Sequence, residues 1–502
     1  MHLQRIQVPD FRVLKDVDIV FEKNFAPRIF PLGSQNGGGK STLLQLIFVL
    51  LHCAFAPDRL AALKNILKYF HLKGSSRKSL AIINISHEDR EIELEFFGCT
   101  DSYVEQLISE EAVSKEYDNK DNIGNNLKFS MIPELENIRE EVSKLKKALS
   151  ELENLIFQLE DIRNLDELQK TVLFLTLSEQ LDQLTKNSKY RGINRLDTAL
   201  TSRETIQEEA IEQLDILKKN YDRLNIEYVT LSFAIYKMIS FLNSKNLIYI
   251  CTYSSNSDSS ENQAFVCQVN NLEPEEINPF LNSLSTKVFL AAPSTQVFLF
   301  LSRETNKLLF KKQDIDDFSN NYYSHLKEAK SSIPGLFTYD FLEVDILIDA
   351  FKAAGDKDFK EVIETGEYGN AYKALLEDLN SLLANKKINL RSNLSEITFK
   401  PLINDGNVEF YPEDLSHGEL KRLSIYMWLK YRNVEDAIVL MDEIEIALHP
   451  DWQYRIVSDL LQWAPTNQYI LATHSYELCQ ALTPAHVKEL EPRLLKQSEQ
   501  SV

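Results

Sequence analysis

Five cysteines in 502 residues, Cys53, Cys99, Cys251, Cys267 and Cys479, form no CxxC pair and are odd in number. This excludes a fully paired disulfide framework and the usual zinc spacing, and predicts buried free thiols in a reducing compartment. Long apolar runs are missing too. The longest, Leu43 to Ala56, contains Gln45 and His52 and is too short to span a bilayer. His2, Arg5 and Asp10 interrupt the start, so no secretory leader is expected, and the reading is a cytoplasmic chain with no membrane association. Basic side chains are in deficit: 55 Lys and Arg stand against 75 Asp and Glu, for a formal charge of −20. That disfavours a surface that grips nucleic acid everywhere, while a local basic face or a basic protein partner stays open.

What is there describes a folded protein, with 44% apolar and 10% aromatic residues. Its length exceeds one compact core and predicts two or three structural units. The stretch Gly33-Ser34-Gln35-Asn36-Gly37-Gly38-Gly39-Lys40-Ser41-Thr42 follows the apolar run Ile29-Phe30-Pro31-Leu32 and opens an apolar helix expected from Leu43 to Phe55. Strand, glycine-rich loop and helix form the setting of a phosphate-binding loop. Glycines let backbone N–H groups turn inward around phosphate oxygens, and the helix N-terminus adds partial positive charge. Lys40 would reach the β- and γ-phosphates of ATP, and the Ser41 hydroxyl would hold Mg²⁺. Ser34, Asn36, Gly37, Gly38, Gly39 and Thr42 complete the expected cradle. Six residues before Lys40, where this motif has glycine, stands Ser34, and the glycine sits one place earlier.

Residues 1–32 read as short strands. Ile6 and Val8, then Val17, Ile19 and Phe21, alternate about a turn at Phe11-Arg12. Arg12 is either a phosphate contact or a surface arginine beside a core phenylalanine, and both readings stand. A helix over 57–72 and a hairpin of 79–87 with 91–97 follow. Apolar residues step by three and four over 134–160, and a second such run spans 206–231. Two runs of similar length predict an antiparallel helical hairpin rather than two ordinary helices packed on a head. Each arm would project about 40 Å at about 1.5 Å per residue, with 161–204 as the distal part. The polar stretch 254–260 reads as a loop, 288–292 and 297–301 as strands, 312–385 as mainly helical, and 404–407 as a hairpin turn.

The last hundred residues carry three further pieces. Leu415-Ser416-His417-Gly418-Glu419 precedes a helix expected from Leu420; the pattern is a common helix cap and also an anion-binding helix N-terminus. Ile438-Val439-Leu440-Met441-Asp442-Glu443 is an unbroken apolar run ending in two acids, as a buried parallel strand would. Asp442 would hold the Mg²⁺ shell, and Glu443 would orient or deprotonate an attacking water. Tyr469 to Ala472 is a second buried strand, running into Thr473-His474-Ser475. One helix fits between the two strands, which predicts a single βαβ crossover.

The four pieces, in this order and each at an element edge, resemble the ABC-type ATPases of the RecF, SMC and OLD (overcoming lysogenization defect) group. In that group the phosphate loop opens the chain, helical arms fill the middle, and signature and acid pair close it. Met-Asp-Glu-Ile-Glu-Ile-Ala-Leu-His-Pro from Met441 to Pro450, followed by Ala-Thr-His-Ser, resembles the OLD-like branch. The phrasing around Leu415 to Arg422, the length and the expected lack of a Toprim nuclease resemble the ATPase subunit of Septu-type anti-phage defence, also found with retrons. The resemblance implies an α/β ABC-type P-loop head formed by both chain ends, with an inserted antiparallel helical coiled-coil arm. Its divisions would be 1–130 and 386–502 for the head, 131–235 for the helical insertion and 236–385 for a mixed middle segment.

It further implies ATP and Mg²⁺ sandwiched between two heads. Lys40, Ser41, Asp442, Glu443 and His474 would come from one subunit, and Ser416 and Gly418 from the other. His474 would contact the γ-phosphate and help to position water. The partners implied are a second copy in a head-to-head dimer or a higher oligomer, and a separate HNH-type nuclease. DNA or a retron RNA–DNA is a further candidate ligand. The function expected is an ATPase that regulates that nuclease through its nucleotide state. A DNA-maintenance clamp and an ATP-bound scaffold without turnover are the alternatives.

Overall fold

The computed structural model describes residues 1–35, 37–114, 128–161, 203–253, 263–294, 300, 330–339, 344–390, 396–402 and 409–490. The chain divides into two compact units, one of Met1–Cys99 with Asn243–Val502 and one of Thr100–Leu242.

The first unit is assembled from both chain ends and contains two six-stranded sheets. In chain order the strands are β1 (His2–Phe11), β2 (Leu14–Val20), β3 (Ile29–Gly33), β4 (Arg77–His87), β5 (Arg90–Cys99), β6 (Leu247–Tyr253), β7 (Gln263–Asn270), β8 (Val288–Ala292), β9 (Leu336–Thr338), β10 (Lys386–Leu390), β11 (Ile397–Pro401), β12 (Ile438–Asp442), β13 (Gln468–Ala472) and β14 (Lys488–Glu489). One sheet has the order β2-β1-β4-β5-β7-β6 and is antiparallel throughout. The other has the order β14-β3-β13-β12-β8-β9 and is parallel throughout. Strand directions are therefore segregated into separate sheets, with β10 and β11 as an additional antiparallel pair.

The parallel sheet is covered on both faces, and period-two alternation sorts its side chains. Phe30, Leu32, Leu290, Ile438, Leu440, Ile470 and Ala472 join the core that also holds the antiparallel sheet and the helix Lys40–Phe48. Ile29, Ala291, Val439, Met441, Tyr469 and Leu471 face the opposite core, with Leu423 and Met427 of the helix His417–Tyr431 and Ile456 and Leu460 of the helix Pro450–Trp463. The ends of the chain are tied by paired bonds: Leu3 N donates to Gln468 Oε1 at 2.7 Å, and Gln468 Nε2 donates to Leu3 O at 2.9 Å.

The helix expected over Leu43–Phe55 is α-helical from Lys40 to Phe48 and continues as a π-helical turn over Val49–Cys53. The wider turn carries His52, whose buried Nε2 accepts from Gly335 N at 3.2 Å, a tertiary partner that the sequence does not reveal. The helix expected over 57–72 ends at Leu67. The β4–β5 hairpin closes through Glu88 and Asp89, both left-handed at φ 48° and 61°, as a tight two-residue turn needs. Cys53, Cys99, Cys251 and Cys267 are buried free thiols, and Cys479 is half-buried.

In the second unit the helices Met131–Asp161 and Arg203–Ser244 share a small core of Ile138, Leu145, Leu149, Leu152, Ala210, Leu217 and Leu224. Lys218 Nζ bridges to Glu153 at 3.2 Å beside it. The loop 254–260, the strand 297–301 apart from Phe300, the turn 404–407 and residues 162–202 lie outside the described residues. No described helix is long and apolar enough to cross a membrane.

Candidate functional site

Parallel register brings three of the four predicted pieces, the phosphate loop, the acid pair and the histidine, to one edge. Asp442 pairs in register with Ala472, and Ala472 with Leu32. The residues that follow each, Glu443, Thr473-His474 and Gly33-Ser34, leave the sheet side by side at its carboxyl edge. This edge is where open α/β sheets place ligands.

At that edge Ser41 Oγ donates to Asp442 Oδ1 at 3.0 Å, across 401 residues of sequence. Lys40 Nζ donates to Ser34 O and Ser34 Oγ, each at 3.2 Å, and lies 2.9 Å from His474 Nε2. Lys40 is buried, and that burial lowers the pKa of its ammonium despite the nearby Asp442, Glu445 and Glu443. Burial likewise pushes the Asp442 carboxyl up to about 6; Glu443 and Glu445 add to the rise, while Ser41 and Lys40 oppose it. Asp442 Oδ2 is buried with no hydrogen-bond partner among the described residues.

The loop itself is closed by its own serine. A Cβ on Gly38 would lie 2.8 Å from Ser34 Cβ, so the two residues are mutually fitted. Gly39 is left-handed at φ 93°, and a Cβ there would meet Leu14 Cδ2 at 2.7 Å and Val13 Cγ2 at 2.9 Å. The β1–β2 turn therefore rests on the phosphate loop. Arg12, at the tip of that turn, has its guanidinium 4.7 Å from the Tyr69 ring centre. Gly37 is also left-handed, at φ 79°, and open. Thr42 is half-buried on the first helical turn, and Asn36 lies outside the described residues.

Ser416 caps the helix His417–Tyr431, which starts three residues earlier than expected because the cap is a full capping box. Ser416 Oγ donates to Glu419 Oε2 at 2.9 Å. Glu419 is almost fully buried and also takes Lys386 Nζ at 2.8 Å and Ala384 N at 3.1 Å. Burial alone would raise its pKa; the bonds from Lys386, Ser416 and Ala384 outweigh that and hold it below the ordinary value. Ser416 and His417 are exposed at the cap. Gly418 faces the loop after β12, where a Cβ would come within 2.8 Å of Ala447 O. Within the chain the structure brings together Lys40, Ser41, Asp442 and His474 through direct bonds. The bonds described for Ser416 lie within its own cap.

Glu443 sits in the left-handed region at φ 53°, its N–H donating to Ala472 O at 2.9 Å. Two neighbours escaped sequence reasoning. Glu445 is buried, and its Oε1 accepts from His474 N at 2.7 Å, while Oε2 has no partner among the described residues. Gln453 extends the tie, donating to Leu448 O at 2.9 Å and accepting from Ser475 Oγ at 2.6 Å. The signal for Glu445 was the third acid in Asp-Glu-Ile-Glu. The second missed residue is Lys421, which bonds the Glu443 carbonyl.

These residues suit a triphosphate with a hard cation. Ser41 and Asp442 present oxygen donors, with one carboxylate oxygen unsatisfied. No cluster of three or more His, Cys, Asp or Glu among the described residues could hold a metal alone. With Ser41 and Asp442 as its protein donors, a cation here would complete its shell with phosphate and water, as Mg²⁺ does.

Over residues 1–479 the chain matches the AAA ATPase domain family. It is similar to the Retron Vc95 probable ATPase of Vibrio cholerae serotype O1 biovar El Tor, at 45% identity over 52 residues; that stretch covers 10% of each protein. Among solved structures it is similar to the Smc head domain with an extended coiled coil bound to the C-terminal domain of ScpA from Pyrococcus furiosus. There the identity is 13% and the TM-score 0.31, with 96% of this chain and 91% of that chain covered. It is also similar to the SmcHead bound to the C-winged helix domain of ScpA, at 10% identity and a TM-score of 0.36, with 96% and 92% covered.

Proposed function

The chain belongs to the AAA ATPase domain family, and from that premise and the geometry of the site we propose that it binds and hydrolyses ATP as a dimer and regulates a separate HNH-type nuclease. The observation that carries the hydrolytic part is the Ser41–Asp442 bond beside the Lys40–His474 contact, four side chains from opposite chain ends at one sheet edge.

In this reading Ser34, Gly37, Gly38, Gly39 and Thr42 shape the cradle and Lys40 neutralises the β- and γ-phosphates. Ser41 and Asp442 hold Mg²⁺, which supplies charge neutralisation to the phosphates when bound. Glu443 accepts a hydrogen bond from the attacking water and takes its proton as bond formation advances. His474, whose backbone Glu445 fixes, aligns that water and the departing γ-phosphoryl group. Ser416 and Gly418 of a second copy close the far side, where the exposed cap of His417–Tyr431 offers N–H groups to an anion. The paired helices Met131–Asp161 and Arg203–Ser244 serve as a coiled-coil arm. The similarity to a retron ATPase, 45% identity over 52 aligned residues, supports a retron-associated setting.

The test is Glu443→Gln in the full chain. Turnover should be lost while ATP is retained and the dimer is trapped. The nuclease role is tested by coexpressing the chain with an HNH protein encoded beside it and measuring DNA cleavage with ATP, with ADP and with no nucleotide. A nuclease that neither copurifies with the chain nor responds to nucleotide contradicts the regulatory part.

A further inference from the structure

Glu443 is held in a backbone conformation that a residue with a Cβ rarely adopts, at φ 53°. Ala447, four residues on, is also left-handed at φ 66°. Several bonds hold this loop: Glu443 N donates to Ala472 O, His474 N to Glu445 Oε1 and Gln453 Nε2 to Leu448 O, and a further grip on its carbonyls comes from the helix His417–Tyr431. Lys421 is buried, and its Nζ donates to Glu443 O at 2.9 Å and to Ile446 O at 3.2 Å. The ammonium lies 4.1 Å from the centre of the Tyr339 ring, a placement that favours the charge. Tyr339 is itself fixed, donating through its hydroxyl to Ala291 O at 3.0 Å.

Lys421 stands on the helix His417–Tyr431, three residues from Gly418 and so on the same face. Gly418 permits the helix to approach Ala447 O closely, and Lys421 then bonds the loop. One helix thus carries Ser416 at its exposed N-terminus and grips the Glu443 loop one turn further on. A shift of this helix moves both.

We propose that Lys421 is a positioning residue that clamps the Glu443 loop to the Ser416 helix, so that engagement of Ser416 with the nucleotide of a second copy sets the Glu443 backbone in its own copy. The inference rests on the dimeric ATPase reading above. It adds a route by which each of the two sites reports its occupancy to the other. No charge at Lys421 is consumed in the reaction; its work is to satisfy two carbonyls and hold the loop.

The experiment compares the full wild-type chain with Lys421→Met, Lys421→Arg and Glu443→Gln. Hydrogen exchange of the 443–448 amides, measured without nucleotide, reads the clamp directly, because Ile446 N donates to Glu443 O and Leu448 N to Glu445 O. Lys421→Met should speed exchange there by roughly tenfold or more, and Glu443→Gln should not. In ATP hydrolysis, Lys421→Met should lose roughly tenfold in kcat with the affinity for a fluorescent ATP analogue changed less than about twofold. Its Hill coefficient should fall to about 1 from a higher wild-type value. Lys421→Arg, which can still donate to both carbonyls, should recover most of the kcat.

Unchanged exchange at 443–448 in Lys421→Met overturns the clamp. A Hill coefficient and kcat that match wild type overturn the coupling. Equal loss of nucleotide affinity in the Met and Arg variants shows that Lys421 merely supports the fold, and overturns it too. A wild-type chain without any turnover contradicts the ATPase reading instead, and the exchange measurement still decides the clamp.

Discussion

In the parallel sheet β12 and β13 are buried at every position; in the antiparallel sheet β2 alternates buried and exposed from Val17 to Val20. The difference decides where chemistry can sit. A strand covered on both faces has no place for a charged group along its length, so polar residues collect where it leaves the sheet. Asp442, Glu443 and His474 lie there, beside the loop that begins at Ser34. The antiparallel sheet has exposed positions on β2 and uses charges in cross-strand ties, such as Arg5 to Asp18 at 2.6 Å and Arg77 to Glu95 at 2.7 Å. One sheet is a platform for an edge; the other is a wall that meets water at its β2 side.

The sharpest way to break this contrast is by truncation. Leu471→Ala, in β13, should cost about 2–5 kcal/mol of unfolding free energy, and Val20→Ala, exposed in β2, within about 0.5 kcal/mol. Denaturant titration checks both, and equal costs would erase the contrast. At the edge itself, Lys40→Ala should lower kcat/KM for ATP roughly 100-fold while leaving the denaturation midpoint near wild type. A comparable loss from Arg77→Ala in the antiparallel sheet would show that the site is not confined to the parallel edge.

Glu445→Ala removes the acceptor for His474 N and should lower kcat about tenfold, whereas Glu445→Gln keeps an acceptor oxygen and should lose little. An equal loss in both variants would assign Glu445 a role through its charge. The smallest effect concerns pH. The folded Glu419 carboxyl is held below its ordinary value near 4.5, so the folded state binds fewer protons there than the unfolded one. Its stabilisation is full above that value and is lost as pH falls below it. Glu419→Gln should therefore flatten the acid limb of the stability–pH curve, as read by thermal melts.

Much of the site was legible because each motif is local. The glycine loop, the acid pair after an apolar run and the histidine after another can each be read within ten residues, and strand periodicity puts their ends level. Lys421 and Glu445 were not legible for the opposite reason. A lysine inside a helix reads as a solvated charge, and only the approach of the 443–447 loop, allowed by Gly418, turns it inward. Glu445 reads as one more acid in an acidic loop until the register of β12 and β13 sets His474 N against it. The fold divided similarly. Alternation identified β1, β2, β4 and β5, but their gathering with β6 and β7 into a sheet separate from β3, β12 and β13 depends on pairings between distant residues. The π-turn over Val49–Cys53 carries His52 to a bond with Gly335 N, 283 residues away.

Ser41 and Asp442, 401 residues apart, are proposed to act as one cation-and-phosphate site. A double-mutant cycle on Mg²⁺–ATP affinity, with Ser41→Ala, Asp442→Ala and the pair, tests this directly. Strong non-additivity is expected, with a coupling of about 1 kcal/mol or more, because either change alone disables the shared site. Losses that add to within about 0.3 kcal/mol would mean that the two side chains act independently, and would contradict it.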